Sequence, residues 1–182
     1  MRPAGPHAAR RPRPHAHARP SNAVSTSDEA FIFLHVLAAI WYAAGLTSVQ
    51  LALVRGWKAP DVNTRVVAFS EAMHYQGLLL VPGAIAVATT GLFLWGQLDY
   101  NFVTTPWLLG VEAMYIVTLL VCIPLIGMGL RRARIAALMA ERRDEVTPEL
   151  EEAMADSVPL VFGGIATILV PLMVALSVFR PG

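Results

Sequence analysis

Four apolar stretches, at about 31–54, 77–98, 106–130 and 158–179, follow one another along this 182-residue chain with polar connectors between them. Crossing a ~30 Å hydrocarbon core takes about 20 apolar residues of helix. Inside lipid every backbone N–H and C=O must be satisfied within the chain, so stretches of this length fold as helices. The expected fold class is all-α: an integral membrane four-helix bundle occupying 26–182, preceded by a disordered N-terminal tail. With 55% hydrophobic residues and a mean hydropathy of +0.55, the chain has no room for a soluble catalytic domain.

The tail, residues 1–25, has a different composition. Arg2, Arg10, Arg11, Arg13 and Arg19 are interspersed with prolines and with His7, His15 and His17, and such a segment buries no core. Arg10–Arg11 runs straight into Pro12 and lies about twenty residues ahead of the first apolar run, which is not the layout of a twin-arginine export signal. A solvated tail, or a start codon assigned too early, suits it better. The run at 31–54 is longer than the ~7–15 residues of a signal-peptide core, so it is expected to stay as a membrane helix.

Helix punctuation marks the same boundaries. Thr26 with Glu29 forms a capping box, Thr105–Pro106 supplies an N-cap and a first-turn proline, and Ser157 is placed to cap the fourth span. Pro82, Pro124 and Pro171 fall inside spans and should bend them. Gly83, Gly91, Gly110, Gly127, Gly129, Gly163 and Gly164 allow close helix approach, with Gly163 and Gly164 expected at the tightest contact and Gly56 in a loop. The connectors at 55–65 and 131–157 carry Arg55, Lys58, Arg65, Arg131, Arg132, Arg134, Arg142 and Arg143, whereas 99–105 has no basic residue. The positive-inside rule then puts these two loops in the cytoplasm and both termini outside. The segment 131–156 is expected to continue the third helix and then start a short acidic helix at Thr147–Pro148, whose carboxylates face water.

Polar side chains inside the bilayer are costly unless paired, which makes them the functional candidates. His35 lies about one turn into the first span, Glu112 about two turns into the third, and Thr89 and Thr90 at a similar depth in the second. These residues form one expected outer layer. In it His35 could bind a metal or haem iron, with Glu112 orienting the ring and Thr90 beside it. The plainer alternative is a hydrogen bond from His35 to Glu112 or to a threonine that ties helices together. A second cluster, Glu71 and His74 with Gln76 and Gln50, sits at the opposite end. Glu-x-x-His is half of a carboxylate-bridged metal site, so an interfacial hydrogen-bonded pair is the better reading of Glu71 and His74. His35 and His74 should lie roughly 25 Å apart, too far to share one haem.

Other chemistry finds no purchase. Cys122 is the only cysteine, the methionines are scattered, and no glycine-rich phosphate loop occurs. The basic residues suit anionic lipid and topology rather than nucleic acid. No internal repeat is strong enough to argue a transporter.

The phrases FLHVLAAIWYAAGL, LLLVPGAIAVATTGLFL, TPWLLG and LMVALSVFRPG resemble a group of bacterial four-span proteins, the predicted integral membrane proteins of domain of unknown function 2269, over nearly all of 30–182. That resemblance implies the fold and the membrane location and no activity. More distantly, the pattern His35-Val-x-Ala-x-x-Trp41-x-x-x-Gly45 is similar to the opening span of copper resistance protein D and of the HemJ-type protoporphyrinogen oxidase. This second resemblance implies that His35 meets haem, porphyrin or copper. Lys58, the only lysine, lies in a loop, so the lysine that accompanies the histidine in that oxidase family has no counterpart in a span here.

Three functions fit these residues. One is a non-catalytic accessory subunit, packing against a larger membrane complex or a second copy of itself. Another is a haem- or metal-binding redox protein using His35. The third is a small proton-linked transporter relaying through His35 and Glu112. Whether the protein is an enzyme is left open by the sequence.

Overall fold

In a computed structural model, residues 26–97 and 105–180 are described. The expectations for the tail 1–25 and for the connector 99–104 lie outside these residues, as does the side chain of Thr26 in its capping box. The described chain forms seven α-helices: α1 (Thr26–Lys58), α2 (Val62–Tyr75), α3 (Val81–Gln97), α4 (Pro106–Val117), α5 (Ile123–Arg143), α6 (Pro148–Ala155) and α7 (Val158–Phe179). Two π turns, Gln76–Leu80 and Thr118–Cys122, join α2 to α3 and α4 to α5 without a break. The result is four rods long and apolar enough to cross a membrane.

Each π turn stands immediately before a proline, Pro82 or Pro124. Proline has no N–H to donate and its ring crowds the carbonyl of the preceding turn. Widening that turn relieves the clash, so at two of the three prolines expected to bend a span the helix departs from regularity as a π turn. Pro171 sits inside α7, which continues through it.

Three of the rods extend well past their apolar runs. α1 is 33 residues, about 50 Å of helix, and α2 and α5 likewise project beyond the hydrocarbon on the side of the 58–62 and 143–148 connections. The tightest core lies toward this end. Leu53, Ala68, Phe69, Ala72, Leu130, Ala133, Ala137, Ala140 and Leu150 are fully buried there, and the Trp57 ring meets Phe69 edge-on at 5.2 Å. Small alanines on α5 bring it close to α2 and α6. Gly56, expected in a loop, is instead a helical residue whose missing side chain makes room for the Phe69 ring.

Capping follows the sequence in part. Asp61 starts α2 by accepting from the Thr64 amide at 2.8 Å, and Thr147 starts α6 by accepting from the Leu150 amide at 3.4 Å. Thr105 and Ser157 hold the N-cap positions of α4 and α7 without a side-chain hydrogen bond. At α7 the neighbouring Asp156 accepts from the Val158 amide at 3.0 Å instead.

The tightest backbone approaches also differ from expectation. A Cβ at Gly45 would stand 2.6 Å from the Leu80 amide nitrogen, and one at Gly83 would stand 2.8 Å from Tyr42 Cα, so α1 and α3 touch main chain to main chain. Gly163 is also tight, against the Gln50 amide, but nothing lies near Gly164.

Candidate functional site

α1, α3 and α4 meet at mid-bundle around two tyrosines. Tyr42 and Tyr115 pack edge to face with ring centroids 6.4 Å apart, and the Tyr115 hydroxyl donates to the Ala84 carbonyl of α3. Gly83 lies against the Tyr42 backbone. These contacts fix a common level from which depth can be counted. His35 lies seven residues from Tyr42 toward the start of α1 and Thr90 six residues beyond Ala84, or about 10 Å and 9 Å along their helices. Glu112 lies only three residues from Tyr115, about 4–5 Å.

His35 and Thr90 therefore meet, and His35 Nδ1 is 2.8 Å from Thr90 Oγ1. The hydroxyl has a single proton. A Thr90 Oγ1–H that makes the usual back-bond of a helical threonine, to the Ala86 carbonyl at 2.7 Å, accepts from His35 Nδ1–H. In that tautomer Nε2 keeps its lone pair. Gly91 flanks the ring: a Cβ there would stand 3.3 Å from His35 Cε1. Thr89, the other threonine at this depth, is exposed and bonded to its own helix at the Ile85 carbonyl.

Among the described residues no hydrogen bond or ion pair joins Glu112 to His35. Glu112 is half-exposed on α4, a helix with no buried residue that packs mainly on α7. Its neighbour in charge is Tyr115, one turn along the same helix.

The second cluster is pulled apart. Glu71 pairs with Arg55 of α1 at 3.1 Å rather than with His74. His74 is exposed, with its ring near Tyr75. Gln50 donates to the Leu160 carbonyl of α7 at 3.2 Å with its amide laid over Gly163, while the Gln76 amide lies over Gly127 of α5, where a Cβ would stand 2.6 Å from its nitrogen. Each glutamine is thus seated on a glycine of the facing helix. The described residues contain no group of three or more His, Cys, Asp or Glu able to hold a metal ion together.

One polar group of this layer escaped the sequence reading. The Tyr42 hydroxyl is buried beside Tyr115, Cys122 and Thr118, with the Thr118 hydroxyl as its polar neighbour. A signal existed: Tyr42 follows His35 by seven residues and so shares its helix face.

A helical bundle with four membrane-length apolar rods and a sparse polar layer at mid-depth defines the class, an integral membrane protein. Within that class the chain belongs to the family described as predicted integral membrane protein (DUF2269), which it matches over residues 30–181. No curated protein and no solved structure matches the chain.

Proposed function

We propose that this protein is a non-catalytic accessory subunit that binds a membrane partner through the exposed face of α4 that carries Glu112. The half-exposed carboxyl of Glu112, inside a span and without a hydrogen-bond or ion-pair partner among the described residues, carries this reading. An ionisable side chain at mid-bilayer costs about 2.5–3.5 kcal/mol on insertion scales, and a hydrogen-bond donor on a neighbouring helix would remove much of that cost. Leu109 and Ile116, one turn to either side on α4, are 46% and 48% exposed and offer the apolar contact such a helix needs. A photo-crosslinking residue at Leu109 or Ile116 should give one defined protein adduct in native membranes, lost in Glu112→Leu. Adducts to lipid alone would overturn the proposal, and an adduct between two copies of this chain would make the partner itself.

A second reading rests on the His35 tautomer. With Nδ1–H committed to Thr90 and Gly91 leaving space beside the ring, Nε2 is free to bind haem b or copper. Protein purified from its own membrane would then show a haem band or stoichiometric copper, abolished by His35→Ala and weakened by Thr90→Val. A colourless, metal-free preparation excludes it.

For both readings the proposed setting is a bacterial inner membrane, with both termini outside. The support is the eight basic residues of the 55–65 and 131–157 segments against none at 99–105. In a Cys122→Ser background, Asn101→Cys should label from outside intact cells and Lys58→Cys should not. The opposite pattern inverts the protein.

A further inference from the structure

α7 is 22 residues long, about 33 Å of helix, which matches a ~30 Å hydrocarbon core. One membrane boundary therefore passes near its first turn, at Pro159. Gly129 of α5 lies against the Pro159 ring, where a Cβ would stand 2.8 Å away, so the same boundary crosses α5 at Gly129. Arg131 and Arg132 follow within one turn and stand at headgroup level. Met128, 61% exposed, faces the hydrocarbon side of them.

From this level outward α5 and α6 border an open groove of about 460 Å³. Its apolar floor includes Met128 and Ile135, and its rim is charged on both sides: Arg131 and Arg132 from α5, Glu149 and Glu152 from α6. Arg132 and Glu152 are paired at 2.5 Å. Arg131 and Glu149 are exposed and form no ion pair with each other or with any other described residue, although Glu149 has the Thr147 hydroxyl and the Arg143 charge nearby. Cation and anion thus flank one apolar slot at the membrane surface, with balanced charge.

We propose that this groove binds a zwitterionic aminophospholipid of the adjoining leaflet, its phosphate on Arg131, its primary ammonium on Glu149 and an acyl chain over Met128. A purely anionic headgroup would satisfy the arginines but oppose two carboxylates. A choline headgroup would meet the carboxylates with a quaternary ammonium that donates no hydrogen bond. The balanced rim fits a headgroup that carries a phosphate and a hydrogen-bonding ammonium together.

The test is lipid competition on the full chain in mixed vesicles or detergent, reading retained phosphatidylethanolamine, phosphatidylcholine and phosphatidylglycerol by native mass spectrometry. Wild type should retain phosphatidylethanolamine over the other two by about fivefold, the scale of one interfacial charge interaction. Arg131→Gln and Glu149→Gln should each erase most of that preference, and Lys58→Gln should leave it intact. Preferential retention of phosphatidylglycerol, or equal retention of all three, overturns the proposal. The wild-type competition decides this even if a variant fails to fold. Because Glu112 and the groove are separated by about 25 Å of helix, the 17 residues from Glu112 to Gly129, this outcome is independent of the partner-binding reading.

Discussion

The two ends of the bundle are built from similar residues and packed differently. At the end carrying the 58–62 and 143–148 connections, Leu53, Phe69, Leu130 and Leu150 have no exposed surface. At the other, Phe33, Leu92, Val178 and Phe179 are 66%, 65%, 67% and 80% exposed, and α4 buries nothing. The difference follows the solvent. Past the hydrocarbon boundary an unburied Phe69 would meet water, and the hydrophobic effect drives α2, α5 and α6 together. Between the boundaries an exposed Leu92 meets lipid tails as apolar as itself, so only close backbone contact, hydrogen bonds and a few polar groups select one arrangement.

If that account is right, equal truncations should have unequal effects at the two ends. Phe69→Ala should cost about 3–5 kcal/mol, the range for emptying a phenylalanine site in a packed core. Phe93→Ala, whose ring stacks on Phe31 at 5.5 Å but is 54% exposed, should cost under about 1 kcal/mol. Unfolding in mixed micelles would measure both, and similar losses would break the comparison.

Within the membrane the largest penalties should come from backbone contacts. Gly45→Leu or Gly83→Leu forces side-chain atoms into the main chain of the facing helix, at a cost of about 1–3 kcal/mol or more. Gly164→Leu, with open space around it, should be close to neutral. A detergent melt that ranks Gly164 with the other two would remove the α1–α3 contact from this picture.

Thr90→Val keeps the shape and removes the acceptor for His35, so the expected loss is about 0.6 kcal/mol, the average of a hydrogen bond between membrane helices. Histidine ring NMR should report the same change as a shift at Nδ1, where the tautomer is held. An unaltered spectrum would show that Thr90 does not set it.

The smallest effect is predicted at the packed end, in water. The Thr64 amide and hydroxyl both donate to the Asp61 carboxylate at 2.8 Å, and these bonds hold its pKa below the ordinary carboxylate value. A depressed folded pKa means the stabilisation is complete above the unfolded value of about 3.9 and is lost as pH falls through the folded one. Wild type should therefore melt slightly above Asp61→Asn at neutral pH, with the gap closing on acidification. A gap that stays constant down to low pH would remove the charge from the explanation.

Length and hydropathy gave the four spans, because the cost of leaving a peptide group unsatisfied in lipid acts on each segment by itself. The proline positions likewise foretold where the second and third rods depart from regular helix. Of the polar layer expected from depth, His35 and Thr90 are in contact, while Glu112 is not joined to them. Gln50 and Gln76 were visible as polar groups near the span ends, but not the glycines on which they rest. The pairings Arg55–Glu71 and Gln50–Leu160 could not be read from spacing, since each joins residues on different rods.

Which member of the layer His35 meets was decided by the tertiary structure. The sequence put Glu112 and Thr90 at similar depths, counted from uncertain span ends. The contacts at Gly45, Gly83 and Tyr115 set the depths by how α1, α3 and α4 lock together, and they leave Glu112 about 6 Å deeper than His35. The π turns add to this, because an extra residue in a turn rotates everything after it by roughly 100° about the helix axis. Hydrophobicity and length belong to a segment and can be summed along a chain. Depth and rotation belong to pairs of segments, and here they exist only once glycine has let two backbones touch.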